Sequence, residues 1–168
     1  MATGIFQVIA RMWIEIRHGR GHLIDNITGM TDKEKKLIVD SKAVLLAEPL
    51  KTGITILLKF FEKFPHHLKI YLFKDLSLEE LKSDKAFLEQ STKLMSAIEI
   101  WINKLYNPEE LKNIIAQTGV EDNLPKQYYL DFQEAFIDYL IPLVDKKTLQ
   151  AWKKFMAFAT KTIISSLK

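Results

Sequence analysis

Cysteine is absent from this 168-residue chain, and its absence removes a large set of possible chemistries. Without a thiol, the protein has no disulfides, no thiolate nucleophile and no cysteine ligand for zinc or an iron–sulfur cluster. Histidine is scarce as well, since the only ones are His18, His22, His66 and His67. A mechanism that needs an imidazole in the C-terminal half of the chain is therefore excluded.

A dominant sign of charge and a long apolar run are also missing. Lysine and arginine number 24 against 21 aspartates and glutamates, which leaves a formal net charge of +3. This near balance gives no argument for nucleic acid or an anionic membrane as the main partner. Apolar stretches such as 43–47 fall far below the roughly 18 residues that a membrane-spanning helix needs. We expect no transmembrane segment and no nucleic-acid partner.

Residues 1–30 differ in pattern from the rest of the chain. Apolar residues recur there at helical spacing among arginines, namely Ile5, Ile9, Met12 or Trp13, and Ile16. Charges interrupt the stretch and argue against a secretory signal, so we expect a cytoplasmic location. Two alternatives are a short amphipathic helix on a membrane surface and a mitochondrial presequence. We interpret the segment as an N-terminal extension, followed by one globular domain at 31–168.

Helix-start signals recur through that domain. Thr31 and Glu34 form a capping box, in which each side chain satisfies a backbone N–H of the first turn. Pro49 suits the first turn of a second helix, and Asn107 followed by Pro108 is a strong start for a later one. Further helices are predicted over 84–105, 125–140 and 146–167. Because no segment alternates with period two, we predict an all-α fold of six to eight helices.

Two glycines lie within these helical patterns. Gly53 costs a helix about 1 kcal/mol relative to alanine, so its presence suggests that another backbone crosses closely there. Gly119 is expected to break the helix that starts after Asn107.

The histidines offer little as metal ligands. Adjacent residues on a helix point about 100° apart, so we predict that His66 and His67 cannot chelate one metal and lie at a surface corner after Pro65. His18 and His22 have the i,i+4 spacing of a metal pair, but the glycines beside them disfavour a helix, and no third ligand is evident.

From residue 31 to 167 the order of these signals resembles the globin family, and in detail it is similar to insect globins. The residues that carry the resemblance are Pro49, Gly53, the segment 60–65, the corner 72–81, Phe87 and Trp152. The resemblance implies helices that cross around a central cavity, with haem b as cofactor and reversible binding of oxygen or another small gas as function. It implies a binding protein, and no nucleophile–base–acid set suggests an enzyme. Haem-dependent redox activity, such as that of a dioxygenase or peroxidase, is an alternative that also needs ligated iron.

The resemblance also assigns roles to single positions. Tyr71 stands where an aromatic ring wedges the haem, Gln90 stands at the distal position, and Leu94 follows it one turn later over the ligand. Gln90 can replace a distal histidine because its amide donates a hydrogen bond to bound oxygen. On the proximal side, the residues implied to line the haem are Ile115, Leu124 and Leu130. The aromatic pair Tyr128–Tyr129 is interpreted as core.

The proximal iron ligand departs from the family pattern. Globins hold haem iron through a histidine near the end of the sixth helix, and Gly119 falls in that slot. A shifted gap would bring in Thr118, Val120, Glu121 or Asp122, of which the two acids offer an oxygen ligand. No convincing metal ligand is therefore expected. The alternative function is a haem-free globin-fold module that binds another apolar ligand or a partner.

Overall fold

Helices make up almost all of the regular structure in the computed structural model, which describes residues 23–168. Its elements are α1 (Asp32–Leu46), α2 (Pro49–Lys63), a 3₁₀ helix (Pro65–Ile70), α3 (Leu78–Leu81), α4 (Lys85–Asn103), α5 (Pro108–Asp122), α6 (Lys126–Leu140) and α7 (Lys146–Ser166). The one extended pairing in the described range is an isolated bridge between Ile24 and Thr31. The predicted all-α class is confirmed. The apolar spacing at Ile5–Ile16 lies outside the described residues.

The helices begin where their capping residues predict. The Thr31 hydroxyl accepts from the backbone N–H of Glu34 at 3.2 Å, and the Glu34 carboxylate accepts from the N–H of Thr31 at 2.8 Å. Asn107 caps α5 with its side-chain oxygen, which accepts from the backbone N–H of Glu110, and Pro108 is the first helical residue. These contacts are local, which explains why the sequence identifies them.

Gly53 lies where α2 and α4 touch. A Cβ atom built at residue 53 would lie 2.6 Å from the carbonyl oxygen of Ser91, so no larger residue fits without moving a backbone. The predicted close crossing is confirmed.

Gly119 does not end α5, and this expectation was wrong. The helix continues to Asp122 and ends at Asn123, whose φ of 43° is left-handed. Gly119 is buried inside the helix, and a Cβ atom there would lie 2.9 Å from the carbonyl oxygen of Ile163. Its missing side chain allows α5 and α7 to approach each other.

The core is rich in aromatic side chains. The largest fully buried ones are Phe60, Phe61, Phe87, Phe136, Trp152 and Phe155. The Trp152 indole N–H donates to the Ser41 hydroxyl at 3.0 Å, which joins α7 to α1. The chain just before α1 also reaches this core, because Met30 is fully buried.

An ion pair holds the segment before α1 in place. The buried Lys35 ammonium donates to the Asp25 carboxylate at 2.8 Å. Burial alone would raise the pKa of Asp25, but hydrogen bonds from Lys35, Thr28 and two backbone N–H groups lower it to about 2.

Within residues 23–168, no helix has both the length and the apolar character required to cross a membrane.

Candidate functional site

A cavity of about 90 Å³ lies between α4 and α5, and residues of α6 form its floor. Three of the six residues assigned to the pocket from the sequence line it together: Gln90 and Leu94 from α4, and Leu124 from the turn between α5 and α6. They come from two separate parts of the chain, so the fold itself brings them to one space.

The other three assigned residues lie elsewhere. Ile115 is fully buried in the core, and Leu130 is 39% exposed; neither lines the cavity. Tyr71 lies beside the cavity, and its hydroxyl is 2.6 Å from the hydroxyl of Tyr128, which does line it. Tyr128 and Tyr129 were interpreted as core, and they are buried while also forming part of the cavity wall.

The two paired phenols are held in their neutral form. Burial raises the pKa of Tyr71 to about 12, a shift that its hydrogen bond with Tyr128 only partly offsets. Burial, together with the neighbouring Tyr71, also raises the pKa of Tyr128 well above its ordinary value. At neutral pH both phenols are therefore protonated, and each can act as a hydrogen-bond donor or acceptor beside the cavity.

An ion pair crosses the rim of the cavity. The Lys93 ammonium on α4 lies 2.5 Å from the Asp122 carboxylate on α5, and both residues line the cavity. The only other α5 side chain in the lining is Thr118, whose hydroxyl donates to the Ile114 carbonyl oxygen at 3.3 Å. Both polar side chains that α5 turns toward the cavity therefore already have partners.

The register of α5 differs from the sequence-based assignment of the proximal slot. Gly119 faces α7, whereas Thr118 and Asp122 face the cavity. Successive residues on an α-helix are rotated by about 100°, so a shift of one residue decides which wall a position belongs to. The other two residues considered for the slot, Val120 and Glu121, are exposed.

These residues do not fit a haem held by an axial bond from α5. No histidine, cysteine or methionine occurs between Leu105 and Asp145, and the Asp122 carboxylate already binds an ammonium group. The distal side differs, because Gln90 and Leu94 remain on the cavity wall where the resemblance expects them.

A second polar cluster lies at the corner after α2. His67 is 4% exposed, and its Nε2 atom lies 2.8 Å from the Asp131 carboxylate on α6. The prediction of a surface position is therefore wrong for His67, while His66 is exposed. Asp131 is far along the chain, so nothing in the local pattern signals this contact.

Sequence reasoning also missed three residues that line the cavity between α4 and α5, namely Lys93, Ala97 and Trp101. Their spacing from Gln90 and Leu94 on one face of α4 could have indicated them.

Comparison with known proteins identifies the family. The globin family model matches residues 54–163. Among curated relatives, Cytoglobin-2 of Danio rerio is 28% identical over 92 residues, which cover 54% of this chain and 51% of the relative. Cytoglobin-1 of Oryzias latipes is 25% identical over 63% of this chain and 61% of its own length. The matched part thus spans about half to three-fifths of these relatives.

Solved structures support the same fold. A Drosophila melanogaster globin superposes with a TM-score of 0.78 at 24% identity, covering 83% of this chain and 96% of that one. A hexacoordinated haem protein from an anhydrobiotic tardigrade gives 0.76 at 17% identity, over 84% of this chain and 97% of that one. The predicted resemblance to globins is confirmed, and an insect globin is among the solved structures that share the fold. This chain belongs to the globin family.

Proposed function

We propose that this globin binds a small, largely apolar molecule in the cavity between α4 and α5, without an iron–histidine bond. The observation that carries the proposal is the α5 wall. Its two cavity-facing side chains, Thr118 and Asp122, are already bonded, and its glycine is turned toward α7. The cavity is therefore present, but position 119, where the family pattern would place the axial ligand, does not face it.

The walls indicate the class of ligand. Leu94, Leu124 and Phe132 provide apolar surface, which favours an apolar body. Trp101 also lines the cavity, and its buried Nε1–H has no hydrogen-bond partner within residues 23–168. An unpaired buried donor costs about 1–3 kcal/mol, so a ligand that brings an acceptor atom within reach recovers that energy. Lys93 and Asp122 neutralise each other at the rim, which favours an uncharged ligand.

Xenon is a suitable probe for the apolar part of this site, because dry apolar cavities bind it. We expect a xenon titration of the full chain to shift the methyl NMR signals of Leu94 and Leu124. Ala97→Leu fills the cavity and should abolish the shifts, whereas Ala47→Leu, at an exposed position, should leave them unchanged. Unaltered shifts in Ala97→Leu would overturn the proposal.

Haem and oxygen binding is the second candidate function. Family membership and the position of Gln90 on the cavity wall support it. Two structural neighbours, a hexacoordinate haemoglobin of Drosophila melanogaster and the tardigrade haem protein, support it as well. Haem b would then depend on burial of its faces in an enlarged cavity. Titration of the purified chain with haem separates the two candidates. A sharp Soret band that shifts with carbon monoxide supports haem, and its absence in a folded, xenon-binding chain supports the first candidate.

A further inference from the structure

We propose that His66, His67 and Asp131 form a binding site for a divalent transition metal, with Zn²⁺ as the best match. The sequence pattern argued against this site, because adjacent histidines diverge on an α-helix. Adjacent residues diverge by about 120° in the 3₁₀ helix that follows α2 as well, yet the two imidazole ring centroids are only 4.0 Å apart. Both rings therefore reach the same carboxylate on α6.

The spacing of the donor atoms suits zinc. The Asp131 Oδ2 atom lies 2.8 Å from His67 Nε2 and 3.6 Å from His66 Nε2, and one donor atom from each residue lies within 4.8 Å of the others. Zinc binds nitrogen and oxygen at about 2.0–2.2 Å in a tetrahedron, which places neighbouring donors about 3.3 Å apart. The two distances from the Asp131 oxygen bracket this separation, so small side-chain adjustments would bring the donors to a zinc ion.

Neighbouring residues hold two of the donors in position. The Gln127 side-chain amide donates to Asp131 Oδ1 at 2.7 Å, which leaves Oδ2 facing the histidines. Phe60 stacks on the His67 ring with centroids 5.3 Å apart, and Tyr128 meets it edge-on at 5.1 Å. Such outer contacts orient metal ligands and lower the entropy lost when an ion binds.

The cluster also has an entrance and a free coordination position. The side chain of His66 is 59% exposed, whereas those of His67 and Asp131 are 5% and 11% exposed. An ion can therefore enter from the solvent on the His66 side, with water as the fourth ligand. Two imidazoles and one carboxylate favour Zn²⁺, Cu²⁺ or Ni²⁺ over Ca²⁺ and Mg²⁺, which prefer oxygen ligands alone. The site does not depend on the occupant of the α4–α5 cavity.

A competition titration with a chromophoric Zn²⁺ indicator tests the proposal on the full metal-free chain. We expect one Zn²⁺ per chain, with affinity lowered at least about tenfold in His66→Ala. This variant removes an exposed side chain, and far-ultraviolet circular dichroism will verify that the fold is intact. Asp131→Asn is the second variant, because it keeps a similar shape and hydrogen bonding but removes the carboxylate charge; it should lose affinity too.

The histidines near the N-terminus supply the matched control. The double variant His18→Ala, His22→Ala removes the other histidine pair of the chain and should bind Zn²⁺ as the parent does. Absence of Zn²⁺ binding would overturn the proposal. So would binding that survives His66→Ala and Asp131→Asn but disappears in the double variant.

Discussion

The two walls of the cavity are built alike but have different surfaces. At each wall a buried glycine allows two helices to pack closely. Gly53 of α2 lies against α4, and Gly119 of α5 lies against α7. The α4 wall presents Gln90 and Leu94, the residue types that a globin distal side suggests. The α5 wall presents a hydroxyl and a carboxylate that are already bonded. The globin arrangement of helices is thus present, while the α5 wall offers no histidine to the cavity. Membership of the family therefore does not by itself imply an iron–histidine bond in this chain.

The largest expected effect comes from separating the α4 wall from α2. Gly53→Ala places a Cβ atom 2.6 Å from a backbone oxygen, and a backbone cannot rotate aside as a side chain can. We expect the free energy of unfolding to fall by about 1–3 kcal/mol, measured by urea denaturation. At a solvent-exposed position in a helix, the same change would raise the free energy of unfolding by about 1 kcal/mol. A Gly53→Ala variant more stable than the parent would therefore show that the two backbones are not in contact.

Gly119→Ala should have a smaller effect on the α5 wall. Part of the clash is with the Ser166 hydroxyl, which can rotate, and the Ile163 carbonyl oxygen lies 2.9 Å away. We expect a net loss of about 1 kcal/mol in the same denaturation experiment. A loss larger than that of Gly53→Ala would mean that α5 and α7 form the less adaptable contact. Gly119→His should bring no axial ligand to the cavity, because position 119 faces α7.

The tyrosine pair beside the cavity should affect stability and its pH dependence. Tyr71→Phe removes the 2.6 Å hydrogen bond between the two phenols, and the net contribution of such a bond to the free energy of unfolding is about 0.5–1.5 kcal/mol near neutral pH. The pKa of Tyr71 is about 12 in the folded state against 10.0 normally, so the folded state holds this proton more tightly. Its contribution is complete below pH 10 and is lost as the pH rises from 10 to 12. The free energy of unfolding, measured by urea denaturation at several pH values across that range, should therefore fall less steeply with pH for Tyr71→Phe than for the parent.

The smallest expected effect comes from the ion pair at the rim. Lys93→Met removes a pair that is partly exposed, with side chains 56% and 21% accessible. Such pairs contribute about 0.2–1 kcal/mol, so stability should change little. Xenon or haem should nevertheless enter the cavity faster, since the rim is no longer bridged. Lys85→Met, which breaks the exposed pair with Glu89 away from the cavity, is the control and should leave entry rates unchanged.

Much of the fold was predictable because its signals are local. Capping boxes, prolines at first turns and apolar spacing act within one or two helical turns, and the start of α1 follows Thr31 as expected. Gly53 was informative because a helix rarely keeps a glycine without a packing reason. The candidate site was less predictable, because its partners are far apart in the chain. Lys93 meets Asp122 across the cavity, and His67 meets Asp131 across the corner.

The amino-acid sequence by itself determined the all-α class, the starts of several helices, and the absence of any imidazole from the chain beyond His67. These properties depend on composition and on neighbours a few residues apart. Only the tertiary structure decided which face of α5 meets the cavity and that His66, His67 and Asp131 converge. The physical reason is geometric: one residue of helical register rotates a side chain by about 100°, and helix packing alone sets that register against a neighbour.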